Sequence, residues 1–299
     1  IITSVLRDTV NNNSSGNFKK KNYFYLILIF LKFVRIKKYY IFFKLMFSSF
    51  FGKWRKALFL DLLIHEIHLN YLNKKNPNLS SVFFNAGAHI QHHYLLNSLA
   101  NKTSMKNPKD ILKSYDDPFK EVLILYDNIL KDYLDRKSNI IIATGLTQQI
   151  VKNPHYYYRL LNHEKFLKKL NLIFLKIETR MSRDFLIHFS NNIDRDKAHS
   201  ILKKIYLKDK VFFGVIELRE KSIFVTLTYN EEINTHDRIT IENKELEIFN
   251  DVVFVALKNG EHNGRGFLFT KGEIEKDFEY LKTIKITEIK EKIKNFFIK

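Results

Sequence analysis

Histidines crowd the segment Asn85-Ala86-Gly87-Ala88-His89-Ile90-Gln91-His92-His93-Tyr94, where His89, His92 and His93 fall within five residues. Imidazole is a common ligand for divalent transition metals, and a helix brings residues three and four apart to one face. The plain alternative is a helix start with surface histidines, and from the residues alone the two readings weigh about equally. A second segment, Lys258-Asn259-Gly260-Glu261-His262-Asn263-Gly264-Arg265-Gly266, sets one histidine in a glycine-rich stretch between apolar runs. Glycine lets the backbone approach a ligand closely. Asn-Gly is equally ordinary hairpin chemistry.

Other groups invite weaker readings. Arg159, Arg180 and Arg183, with Asp184, surround His163 in sequence and could clamp an anionic substrate. Solvated surface is the better explanation for at least two of these arginines. Tyr156, Tyr157 and Tyr158 could stack on a base or sugar, although core packing is the commoner fate of such a run. His65 and His68 are spaced i, i+3 but lack the glutamate of a metalloprotease motif in register. The chain contains neither a phosphate-binding P-loop nor a G-x-S-x-G elbow.

The elements that must position these residues follow from periodicity. Residues 55–72 carry apolar positions at helical spacing, and Pro77 ends that run. Residues 81–85 (SVFFN) read as a short apolar strand, with a helix beginning near His89. Asp117-Pro118 is a helix start, Asp as cap and Pro at the first helical position, and the helix continues to about Arg136. Residues 139–143 (NIIIA) then read as a fully buried strand ending at Gly145. A short helix after Asn162, a buried strand over 172–177 and a strand-rich region from Val211 follow, with a charged, amphipathic helix over 273–299. This order predicts an α/β chain: a helix-flanked central sheet with a β-rich C-terminal part. In such sheets ligands gather at the carboxyl ends of strands.

Composition bounds the rest. With 45% hydrophobic and 14% aromatic residues in 299, the chain can bury a large core. Fifty Lys and Arg against 32 Asp and Glu give a net charge of +18, and the lysines are dispersed. Dispersed charge speaks to solubility more than to one polyanion site, so nucleic acid is disfavoured as a partner. No cysteine is present, so any metal is held by His, Asp, Glu or hydroxyl oxygen. Residues 22–51 are the most apolar stretch, but Lys32, Arg35, Lys37 and Lys38 divide it into halves shorter than the ~20 residues of a membrane-spanning helix. A buried or docking helical pair is the preferred reading there; contact with a membrane surface stays open. Cytoplasmic localisation is expected, and Ile1 reads as an arbitrary start.

Taken together, the two histidine segments resemble the alkaline-phosphatase superfamily, in particular type I phosphodiesterases and nucleotide pyrophosphatases. The first is similar to the family's D-x-x-Q-H segment and the second to its late G-T-H-x-x-x-G segment, whose histidines share one metal. Residues 139–147 (NIIIATGLT) stand where the family has a strand ending in S-D-H-G. The resemblance runs over about 55–272 and implies a metal-dependent hydrolase of phosphate or sulfate esters, using zinc or manganese. His92 and His262 match metal-binding histidines, and His89 or Asn85 could substitute for a missing ligand. Ala88 occupies the place of the first site's Asp, and Gly145 and Leu146 occupy those of the second site's Asp and His. The nucleophilic Thr or Ser lies upstream in that family and has no match in residues 1–50, as expected of a chain truncated at its N-terminus. His163, Arg180 and Arg183 are the substrate-binding candidates.

Three regions are therefore expected: a basic aromatic helical segment (1–54), an alkaline-phosphatase-like α/β core (55–272) and a C-terminal amphipathic helix (273–299). Partners expected are an anionic small molecule, glycan or nucleotide. The same fold without metal, kept to bind an anionic ligand, and a basic nucleic-acid or membrane-surface protein are the alternatives.

Overall fold

A computed structural model describes residues 20–298 except 110, 181, 182, 243 and 280–282. The loop expected over 11–16 lies outside the described residues. The chain is mixed α/β and divides into two compact units, one comprising 1–32 and 153–258, the other 33–152 and 259–299. The chain leaves the second unit at 152 and returns to it at 259.

The second unit is mainly helical. Helices α2 (Tyr39–Ser48), α3 (Arg55–Lys75), α4 (Ala86–Tyr94) and α5 (Pro118–Leu134) follow α1 (Lys20–Phe33), and α3 packs against α2, α4 and α5. Helix α3 forms as its periodicity predicts, and it ends at Asn76, which adopts the left-handed conformation (φ +40°) that Asn tolerates. Helix α5 starts where Asp117-Pro118 places it, the Asp117 carboxylate accepting the Lys120 backbone N–H at 2.9 Å. Residues 81–85 form no strand. Their backbone runs irregularly into α4, and the first peptide N–H groups of that helix are taken by side chains instead of a ladder.

Strand β1 (Ile140–Thr144) is half-buried rather than fully buried. Its one strand partner among the described residues is the late strand β12 (Phe267–Lys271), antiparallel, with Ile142 opposite Phe269. Strand β2 (Thr147–Leu160) pairs with β11 (Val252–Asn263). The final helix, α8 (Ile286–Ile298), forms within the expected tail.

The first unit holds a contiguous hydrophobic core. Strands β3 (Lys176–Thr179), β4 (Asp184–His188), β7 (Phe213–Arg219) and β8 (Ser222–Leu227) form an antiparallel sheet of order β3-β4-β8-β7. Strands β5 (Ile205–Leu207), β6 (Lys210–Val211), β9 (Arg238–Ile241) and β10 (Lys244–Glu247) form a second, of order β10-β9-β5-β6. Helix α7 (Asn192–Lys203) lies on β7 and β8, and α6 (His163–Lys169) contributes Phe166 and Leu167 to the same core as Phe185, Phe213 and Val225. The buried strand expected over 172–177 begins only at Lys176. The described sheets thus have two or four strands each.

Candidate functional site

Helix α4 carries the three histidines, and its geometry is set from both ends. At its start the Asp61 carboxylate, from the middle of α3, accepts the backbone N–H groups of Asn85 (3.2 Å) and Ala86 (2.8 Å). The Tyr126 hydroxyl of α5 donates to the same carboxylate at 2.7 Å and accepts the Gly87 N–H at 2.8 Å. A carboxylate satisfying the orphan donors of a helix N-terminus is favourable in charge as well as in hydrogen bonding. Burial raises the Asp61 pKa, against the lowering pull of its three hydrogen bonds, and burial likewise raises that of Tyr126. The anion position at this helix end is therefore filled by the chain itself.

At the other end α4 is fastened to β11 by amides. Asn259, wholly buried, accepts the Leu95 N–H at 2.8 Å and donates to the His93 carbonyl and to Asn107 Oδ1, each at 2.7 Å. Asn107 in turn donates its backbone and side-chain N–H groups to Asn97 Oδ1. One residue along β11, a Cβ on Gly260 would lie 2.2 Å from the Gln91 carbonyl oxygen. Only glycine allows strand and helix backbones to meet at that distance.

Residues two apart on a strand share a face, so the side of β11 that brings Gly260 to α4 brings His262 with it. The rings of His92 and His262, 170 positions apart (262 − 92), lie edge to face with centroids 4.7 Å apart. The Gly260 carbonyl sits 3.2 Å from His92 Nδ1. A carbonyl can only accept, so that nitrogen carries the proton and the lone pair of the neutral ring is on Nε2. An imidazole oriented by a backbone carbonyl in this way has the arrangement common to metal-binding histidines. His89 and His93 form a second ring pair at 4.9 Å. Burial first, and the neighbouring His92 second, push the His89 pKa down to about 4, keeping that ring neutral and its lone pair available.

As a metal centre the set is partial. His92 and His262 could offer two nitrogen donors, with His89 one helical turn away. Asn85 is exposed and its side chain does not cap α4. It stands seven residues before His92, about 10 Å along the helix axis, too far for both to ligate one ion. Among the described residues no third His, Asp or Glu donor closes around the pair, short of the three protein ligands usual for a catalytic zinc. The side-chain amide of Gln148 donates to the Ala88 carbonyl at 3.1 Å, which fixes its orientation, and its buried Oε1 receives no hydrogen bond. That oxygen lies beside Gly260, 2.8 Å from where a Cβ would be. Gly145 and Leu146 are exposed between β1 and β2 and offer no ligand side chain.

Sequence reasoning missed a different cluster. His65, Glu66 and Asp132 present ligand atoms within 4.8 Å of one another. Their cation is Arg35, whose guanidinium reaches Glu66 at 2.5 Å and Asp132 at 2.6 Å, while His65 Nε2 lies 3.0 Å from Asp132 Oδ2. Burial alone raises the Asp132 pKa, but the bonds from Arg35 and His65 hold it well below the usual carboxylate range. Burial lowers that of His65 despite its acidic neighbours. A guanidinium bonded to both carboxylates occupies the position an ion would need. Two acids and a histidine on the helices α3 and α5 were the available signal, together with a lone arginine in the apolar N-terminal stretch.

The proposed substrate clamp belongs to the other unit, and the structure separates its members by environment. His163 is 7% exposed, its ring edge-on to Phe185 at 4.8 Å. Burial, and then Arg159, push its pKa down to about 4, so it is a neutral core residue without charge for an anion. Arg183 stacks on the Tyr157 ring at 3.9 Å. Arg180 is exposed in the β3–β4 turn, 3.5 Å from Glu178. Tyr156 and Tyr158 pack against Phe254. No family model, no curated protein and no solved structure matches the chain.

Proposed function

We propose that the chain is a divergent metal-dependent hydrolase of phosphate or sulfate esters, with His92 and His262 as the metal-binding pair and His89 beside them. The observation that carries this reading is the meeting of His92 and His262 at 4.7 Å, the one convergence the resemblance requires of residues so far apart. A divalent ion such as zinc or manganese would supply Lewis-acid polarisation of an ester oxygen. The chain's part is to orient His92 through the Gly260 carbonyl and to hold β11 against α4 through Asn259. The kinship rests on these residues and not on the sheets: the resemblance implies a large helix-flanked central sheet, whereas the described ones have two or four strands.

Hydrolysis of bis-p-nitrophenyl phosphate and p-nitrophenyl sulfate, with added zinc or manganese, tests the proposal. Metal-dependent turnover lost in His92→Ala supports it; turnover that is absent, or indifferent to both metal and His92, rejects it. A second reading is a catalytically degenerate relative that binds an anionic ligand. It is favoured because, among the described residues, no carboxylate donor joins the histidine pair in a ligand group. Binding of a phosphate ester without metal and without turnover would select it.

A further inference from the structure

Helix α2 and its flanks expose a regular apolar stripe. Its buried side is Phe42, edge-on to Phe59 of α3 at 5.0 Å. On the outer side Ile36, Tyr40, Phe43, Phe47 and Phe50 recur at intervals of four and three, Phe51 follows directly, and the exposures of these six residues run from 46% to 83%. Apolar residues at that spacing make one continuous face, and a patch of this kind on a soluble surface marks a binding surface. The charged residues within the segment itself are all basic. The sequence has no acidic residue between Asp8 and Asp61. Lys38 and Arg55 are engaged inward with Asp132 and Glu121, while Lys37, Lys44, Lys53 and Lys56 are exposed.

We infer that this face docks in the plane of an anionic phospholipid bilayer, aromatic side chains in the headgroup layer and lysines on lipid phosphates. Aromatic and aliphatic residues on one side with lysines on the flanks are what an interfacial helix requires. No helix among the described residues is long and apolar enough to cross a membrane. A second copy seated face to face would bring two lysine-rimmed surfaces of like charge together, which opposes that occupant. Helix α1 carries an exposed stripe of its own, Phe24, Ile27, Leu28 and Leu31.

Vesicle flotation of the full chain tests this. Partition onto vesicles of phosphatidylcholine with about one-third phosphatidylserine should exceed that onto phosphatidylcholine alone more than about tenfold, and should weaken as salt rises. The triple variant Phe47→Ser/Phe50→Ser/Phe51→Ser, all at exposed positions, should melt like the wild type and lose partition by more than about tenfold. The inference is overturned if the wild type does not float, or if the triple variant floats equally well. It is also overturned if the stripe instead drives a concentration-dependent dimer, or if a single-stranded oligonucleotide binds in its place with the same dependence on the three phenylalanines.

Discussion

Gly260 of β11 rests against the Gln91 carbonyl of α4, where a Cβ would stand only 2.2 Å from the oxygen. Because the obstacle is helix backbone, Gly260→Ala must push the strand away. Expected are a loss of about 1–3 kcal/mol in urea unfolding and weaker metal binding by the histidines this contact aligns. Unchanged metal affinity in Gly260→Ala would mean the strand does not set the position of His262.

Asn259→Leu keeps the γ-branched skeleton but removes the polar atoms that meet the Leu95 N–H, the His93 carbonyl and the Asn107 side-chain oxygen. Buried polar groups left unpaired cost about 1–3 kcal/mol each, partly relieved by relaxation. The urea midpoint should fall by the equivalent of about 3 kcal/mol, with the slope unchanged.

How much of this was legible in the sequence depends on the range of the interaction. Asp117-Pro118 starts a helix because cap and proline act within one turn, and that start holds in the structure. The SVFFN run looked like a strand because apolar residues alone do not show whether a neighbour exists to pair with. Here Asp61 and Tyr126 satisfy the backbone that follows instead. The pairing of β1 with β12 joins residues more than a hundred positions apart, and no local pattern encodes it. Of the site, His92 and His262 were nameable from residue type and resemblance. Asp61, Asn259 and Arg35 were not, since a polar residue's partner is invisible until the fold is known.

Arg35 neutralises Glu66, whose side chain is fully buried, and Asp132. Arg35→Met should cost about 3 kcal/mol, because it leaves a buried carboxylate without a counter-charge. Arg35→Met/Glu66→Leu should recover much of that loss, which a thermal melt of both variants would show. A double variant as unstable as the sum of its parts would contradict the pairing.

His163 gives a pH dependence of definite sign. Unfolded, it titrates near 6.5; folded, near 4. Between these values the unfolded chain binds the extra proton, so stability from the neutral buried ring is complete above about pH 6.5 and is lost as pH falls towards 4. The loss is on the order of 3 kcal/mol. Urea midpoints across this range should fall less steeply in His163→Leu than in the wild type.

The central claim is that His92 and His262 hold one metal ion together. Metal content after zinc or manganese loading and desalting, for the wild type, His92→Ala, His262→Ala and Asp132→Asn, tests it directly. About one ion per chain is expected in the wild type and in Asp132→Asn, and little in either histidine variant. A wild type without metal, or histidine variants that retain it while Asp132→Asn loses it, would contradict the account.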